Sequence, residues 1–440
     1  MNKELLDLAG RVLHLAEKAG AEACKVNLTA DRSIEVSYRD RRPETIKEAS
    51  TREVNIEFYV KGRFSSQSTS DLRPEALEKF INQAAAATGL LSEDPSRSLP
   101  EAKYYAGREN IDLELVDPSY SDFSPENRHQ AARAIEESCL QQGGERTISV
   151  TAQVQDGYRE SIMLTSNGFS GYSEGTNFVY VAEMTARDEG DRRPNGYDYA
   201  VAVRRKDLPT PEEIGRRAAE NTLALLGARK LKTETLPVII QNQNVGRFFS
   251  GLISAMIGRN IQQKRSFLHD KKGKAIASKQ LTLIEDPFIK RALGSRLFDR
   301  DGLAAKNRTI IEAGVLRDFF IDWYYSRKLD CQPTTGQPSN LVIPPGKRGL
   351  TEIMKDLDRG ILITDFIGGN SNSTTGDASI GITGHLFENG ELSQAIAEMN
   401  IADNHLEFWN RLIEAADDPW IYSSMRFPSL VFSDVLVSGV

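Results

Sequence analysis

Apolar residues recur along this chain at two spacings, and the points where one gives way to the other mark out its elements. Leu5, Leu6, Ala9, Val12, Leu13 and Ala16 fall at helical spacing, with Gly20 standing where a C-terminal cap would. Cys24, Val26 and Leu28, then Ile34, Val36 and Tyr38, then Val54, Ile56, Phe58 and Val60 each alternate with polar residues, the pattern of half-buried antiparallel strands. Lys61-Gly62 is a tight turn, and Pro74 opens a second helix running to Gly89 with Leu77, Phe80 and Ile81 inward. Residues 1–90 therefore read helix, sheet, helix.

From Leu90 to Asp117 the chain is rich in Ser, Pro, Glu and Asp without periodicity, which predicts a surface connection. The same order then returns. Ser124-Pro125-Glu126 starts a helix that ends near Gly143, strands are expected at Thr147–Val154, Ser161–Thr165, Tyr172–Ala186 and Tyr197–Arg204, and Pro211 opens a helix to Leu226. The repeated plan makes an ancestral duplication conceivable. A basic segment, GARKLKTET from Gly227 to Thr235, separates this half from the next. Beyond it come a strand at Leu236–Ile240 and a helix at Val245–Arg259 whose Phe248, Phe249, Leu252, Ile253, Met256 and Ile257 form a wide apolar stripe. A turn at Gly314, helices at Asp322–Leu329, Leu350–Asp358 and Asn404–Ala415, and a strand at Leu430–Val437 follow. The fold class is α+β. An N-terminal helix and antiparallel-sheet domain (residues 1–226, divisible into modules 1–90 and 118–226) precedes a β-rich C-terminal domain (227–440).

Gly360 to Asn400 carries the densest local signal. Ile361–Phe366 reads as a buried strand, GGNSNSTTGD as a turn cluster, Ile380 and Ile382 as a second strand among glycines, and Asn389-Gly390 as a hairpin turn. Main-chain approach is easy along such a glycine-rich edge, so Asn370, Asn372, Thr375, Asp377 and His385 could line a groove for a peptide added as a strand. They could equally be turn residues bonding their own backbone.

Composition narrows the class. With 440 residues, 40% hydrophobic and 27% charged, the chain is of ordinary globular type, and its net charge of −7 gives no support to nucleic acid as a partner. No stretch approaches the roughly 20 apolar residues of a membrane span, and the first residues lack a signal-peptide core, so a cytoplasmic location is expected. Cys24, Cys139 and Cys331 form neither a disulfide framework nor a metal spacing. The five histidines, His14, His129, His269, His385 and His405, never pair at ligand spacing. Asp299, Asp301 and Gly302 resemble the start of a calcium loop but lack its closing glutamate, and read as a turn. A metal site assembled from His269, His385 and Glu388 is a remaining possibility.

The ordered series LPVIIQNQNVGRFFSGLI, RSFLHDKKGKAIASKQLTLIEDP, LGSRLFDRDGLAAKNRTIIEAGVLRDFF, PSNLVIPPGKRGLTEIM and GILITDFIGGNSNSTTGDASIGITGHLFENG resembles the TldD/PmbA family. Thr375-Gly376-Asp377 and Glu388-Asn389-Gly390, in this order and separation, are its most specific marks. The resemblance implies a part in peptide processing by a metallopeptidase, and two kinds of subunit that can pair. The TldD kind carries a His-Glu-x-x-x-His helix for a catalytic metal, expected to be zinc; the PmbA kind, also called TldE, lacks it. The corresponding helix here is Val245–Arg259. Within one residue of register, Ser250, Gly251 and Ala255 stand at the ligand positions, and neither histidine nor acid occurs from Val245 to Lys264. By this resemblance the chain is PmbA-like, with no metal of its own and a TldD-like partner that carries it. A homodimer, a peptide substrate and the label of DNA gyrase modulator also come with the family. The alternative is a self-associating module that binds peptide or protein without catalysis.

Overall fold

The protein, described over residues 2–440 by a computed structural model, is built on three sheets. The first comprises two copies of one plan. Helix α1 (Lys3–Lys18), strands β1 (Ala23–Arg39), β2 (Arg42–Val60) and β3 (Arg63–Thr69) and helix α2 (Pro74–Thr88) form one copy. Helix α3 (Pro125–Gly143), strands β4 (Thr147–Thr165), β5 (Ser170–Ala186) and β6 (Asn195–Ala202) and helix α4 (Pro211–Ala224) form the other. The strand order β3-β2-β1-β4-β5-β6 makes them one continuous sheet joined through an antiparallel β1–β4 pair. Each half keeps its own core: Leu5, Val12, Val26, Ile56 and Phe58 in one, Ile135, Cys139, Val154, Phe178 and Ile214 in the other. Reciprocal capping boxes, Ser124 with Asn127 and Thr210 with Glu213, start α3 and α4 behind Pro125 and Pro211.

The remaining elements are β7 (Glu234–Ile240), α5 (Asn242–Met256), α6 (Gly258–Gln262), β8 (Leu283–Glu285), β9 (Arg308–Glu312), β10 (Val315–Leu316), α7 (Trp323–Leu329), β11 (Leu341–Val342), α8 (Leu350–Leu357), β12 (Arg359–Ser371), β13 (Asp377–Glu388), β14 (Glu391–Asn404), α9 (His405–Asn410), β15 (Leu412–Ala415), β16 (Met425–Arg426) and β17 (Leu430–Ser438). One sheet runs β14-β13-β12-β7-β17-β15, and β14 also pairs with β17, so β7, β12, β13, β14 and β17 close into a barrel. The other is β10-β9-β8-β11-β16. α5 packs Val245, Phe249, Leu252 and Met256 into the large core shared by both.

Four expected helices and strands change. Cys24–Leu28 and Ile34–Tyr38 are one strand, β1, and Thr147–Val154 and Ser161–Thr165 are one strand, β4: each is paired on both sides, and ladder hydrogen bonds hold the backbone extended where apolar alternation fails. The helix expected to Arg259 stops at Met256 because Ile257 turns extended, and the Gly258 N–H is bonded by Phe320 O at 2.7 Å. The helix expected over Asn404–Ala415 ends at Asn410, and Leu412–Ala415 joins the sheet beside β17 instead.

Residues 90–117 form a strap across the N- and C-terminal parts rather than a simple surface connection. Trp323 Nε1 donates to Ser98 Oγ (3.1 Å), Tyr324 OH to Asp94 (2.8 Å), and the Arg291 N–H to Leu113 O (2.8 Å). The Arg97 guanidinium lies 4.3 Å from the Phe64 ring centre and 3.6 Å from that of Tyr324. Among the described residues no helix is long and apolar enough to cross a membrane.

Candidate functional site

The polar residues of the glycine-rich stretch separate into two places. At the β12–β13 turn, Asn372 Oδ1 accepts the main-chain N–H of Thr374 (2.9 Å), Thr375 Oγ1 donates to Asp377 (2.7 Å), and Asn404 Nδ2 donates to Asp377 Oδ1 (3.0 Å). These bonds hold the Asp377 carboxyl below the usual carboxylate range, Thr375 contributing most. They also tie the turn to Asn404, whose side chain caps α9 through the Leu406 N–H. Asn370 lies exposed on β12 opposite Ser379. His385 stands apart on β13. It is buried, its Nε2 meets Ala224 O at the end of α4 (2.9 Å), and its Nδ1 has no partner. It lines a cavity of about 350 Å³ between β6, α4, the start of α5 and the barrel, together with Tyr197, Gln241, Gln243 and Asp365.

His269, His385 and Glu388 do not come together. His269 bonds Asp270 (2.8 Å), and Glu388 meets Arg359 (3.4 Å). Among the described residues no three His, Cys, Asp or Glu side chains converge as metal ligands. In the calcium-like stretch, Asp299 Oδ1 accepts the N–H groups of Asp301 (2.9 Å) and Leu303 (3.0 Å), so it forms a turn.

The sequence reading gave no role to Ser371 and His405, which meet beneath α5. His405 is buried; its ring lies parallel to that of Phe267 (centroids 5.7 Å apart, 4° between planes) and beside Phe248. Trp409 Nε1 points at His405 Nδ1 (3.3 Å), and His405 Nε2 at Ser371 Oγ (2.8 Å). An indole N–H can only donate, so Nδ1 accepts, the ring proton sits on Nε2, and it is donated to Ser371. Burial lowers the His405 pKa to about 4, and the ring is neutral at pH 7. This serine–histidine pair therefore runs opposite to a nucleophile and its base: the imidazole gives its proton to the hydroxyl and cannot take one. The i, i+4 spacing of His405 and Trp409 was the only sequence signal for it.

Comparison with known proteins places this architecture. Residues 24–88, 118–226 and 233–439 match domain 1, the central domain and the C-terminal domain of the PmbA/TldA metallopeptidases. A crystal structure from Bacteroides thetaiotaomicron, that of a proposed modulator of DNA gyrase, is 37% identical over 100% of both chains, with a TM-score of 0.97. The chain belongs to the PmbA/TldD family. Metalloprotease PmbA of Escherichia coli O157:H7 is 28% identical over 99% of this chain and 96% of its own length. TldE from Thermococcus kodakarensis shares the fold at 23% identity, with a TM-score of 0.86 over 98% of this chain and 100% of that one.

In this PmbA/TldD chain, the positions that the family resemblance assigns to metal ligands lie on α5 and do not fit a metal. Ser250 is exposed and its Oγ bonds back to Arg247 O (2.7 Å). Ala255 is fully buried, and its carbonyl accepts from Ser266 Oγ (2.6 Å). A β-carbon on Gly251 would come within 2.5 Å of His405 Nε2 and 2.7 Å of Ser371 Oγ, so no larger side chain enters without displacing that pair.

Proposed function

We propose that this chain is a PmbA/TldE-like subunit that does not itself hold a catalytic metal and that acts in peptide processing with a TldD-like, metal-bearing partner. The observation that carries the reading is α5, where a hydroxyl bonded to its own helix, a glycine pressed against His405 and a buried methyl stand at the positions that the family resemblance assigns to ligands. The partner's metal, expected to be zinc, would supply the Lewis acid and the activated water, and this chain would contribute to holding the peptide. Co-purification of the chain with the TldD-like protein of its own organism tests this. A stable hetero-complex that cleaves unfolded peptides, with metal content following the partner alone, is the expected result. Stoichiometric zinc and peptide cleavage by the isolated chain would overturn it.

A further inference from the structure

β5 is longer than the strand that flanks it. β4 pairs with it from Ser170 onward, whereas β6 pairs only as far back as Phe178, opposite Ala202. The stretch from Ser170 to Asn177 thus has one edge free of strands. Along a strand, the main-chain groups of alternate residues point to the same side. The Thr176 N–H bonds outward to Leu115 O (2.9 Å), and Ser170 O accepts from Arg108 Nη1 (2.9 Å). The even-numbered residues therefore face out. Between those two anchors, the N–H and C=O groups of Tyr172 and Glu174 face a cavity of about 640 Å³. Its opposite walls are the strap at 111–116 and the loop at 295–298.

Three arginines, Arg159, Arg204 and Arg296, line this cavity. The Nε atoms of Arg204 and Arg296 are buried without a hydrogen-bond partner. Arg296 donates Nη2 to Gln337 O, stands 3.6 Å from Glu285, too far for a hydrogen bond, and burial pulls its guanidinium below its ordinary value. A guanidinium has five N–H donors, so both groups keep unused capacity. Of the acids on the same walls, Asp112 accepts the Glu114 N–H (2.8 Å) and the other two are engaged by side chains. Glu114 takes Lys290 (2.8 Å) and Arg204 (3.2 Å), while Glu174 accepts the hydroxyls of Tyr158 (2.9 Å) and Tyr172 (2.8 Å).

We propose that this cavity binds an extended acidic peptide, which adds as a strand to the free edge of β5 at Tyr172 and Glu174 and sets a carboxylate against Arg204 and Arg296. Main-chain bonding gives sequence-tolerant affinity, and charge-assisted bonds to the arginines give the acidic preference. Between the two anchors, Gly171 to Gly175 spans about 13 Å, room for roughly four peptide residues. The site lies on the N-terminal sheet, involves no metal, and does not rest on the subunit reading above.

Fluorescence anisotropy of the full chain tests it with labelled, N-acetylated octapeptides alternating valine and glutamate. The comparisons are the valine–glutamine counterpart and two analogues N-methylated on alternate residues, one for each set. Saturable binding of the glutamate peptide is expected, at least tenfold weaker for the glutamine peptide and for at least one N-methylated analogue. Arg204→Gln/Arg296→Gln should lose the preference for glutamate over glutamine, and Arg159→Gln at the exposed rim should reduce it. If the double variant misfolds by circular dichroism, the peptide series on the unaltered chain and Arg159→Gln decide. Equal binding of all four peptides, or no saturable binding up to about 1 mM, overturns the proposal. So does a dimer whose β5 edge is protected from hydrogen exchange without peptide, which would assign the edge to a second copy.

Discussion

Gly251→Ala isolates the packing that fills the space beneath α5. The added β-carbon would lie 2.5 Å from His405 Nε2 and 2.7 Å from Ser371 Oγ. His405 has little room to retreat, with the Phe267 and Phe248 rings beside it and Trp409 bonded to Nδ1. Alanine gains about 1 kcal/mol over glycine from helix propensity. Overpacking costs about 1–3 kcal/mol, and the broken His405–Ser371 bond about 1 kcal/mol more. The variant should therefore be less stable by about 1–3 kcal/mol. Gly10, inside α1, is the control, since nothing lies within 4 Å of a β-carbon placed there. Gly10→Ala should raise stability by about 0.5–1 kcal/mol. Urea unfolding followed by tryptophan fluorescence and circular dichroism reads both. A Gly251→Ala midpoint at or above that of the unaltered chain would refute the contact, and with it the claim that no larger side chain enters at position 251.

Three further outcomes follow from the same structure. The folded pKa of His405, about 4, lies below its ordinary 6.5, so the unfolded chain binds the proton first. Its contribution, on the order of 3 kcal/mol, is present above about pH 6.5 and is lost as pH falls to 4; His405→Gln should flatten that part of the stability–pH profile relative to the unaltered chain. Arg128 holds buried Asp156 at 2.5 and 2.9 Å. Arg128→Met alone should cost about 3–5 kcal/mol by leaving a buried charge unpaired, and Arg128→Met/Asp156→Leu should recover much of it in chemical denaturation. Arg97→Ala removes the cation held between Phe64 and Tyr324, worth about 1–2 kcal/mol, and limited proteolysis should cut faster within residues 90–117 while the barrel stays intact.

The plan of helix, strands and helix was legible twice over because amphipathic periodicity and proline-led caps are local properties of the sequence. Joining the halves was not, since the β1–β4 pair is made by backbone groups, and Thr29 to Ser33, which looks like a break between strands, is paired on both sides. A helix was expected from Asn404 to Ala415, yet the edge offered by β17 captured Leu412–Ala415. The strap was hidden for a similar reason: its polar composition signals solvent, but Asp94 and Ser98 spend their side chains on Tyr324 and Trp323. Of the site, the residue types along α5 could be read directly, with neither histidine nor acid from Val245 to Lys264. Which neighbours fill the space there could not, because Ser371 and His405 reach it from other elements.

The barrel's closure also orders events during synthesis. β7 lies between β12 and β17, and the bond from the Asn242 N–H to Ser429 Oγ spans 187 residues. At ribosomal rates of about 5–20 residues per second, the start of this domain waits ~10–40 s for its second neighbour. The N-terminal sheet needs nothing beyond Ala202 to pair its strands. It can form first, while the apolar face of α5 stays unburied, and the nascent chain is then most exposed to chaperones and to aggregation between its two halves.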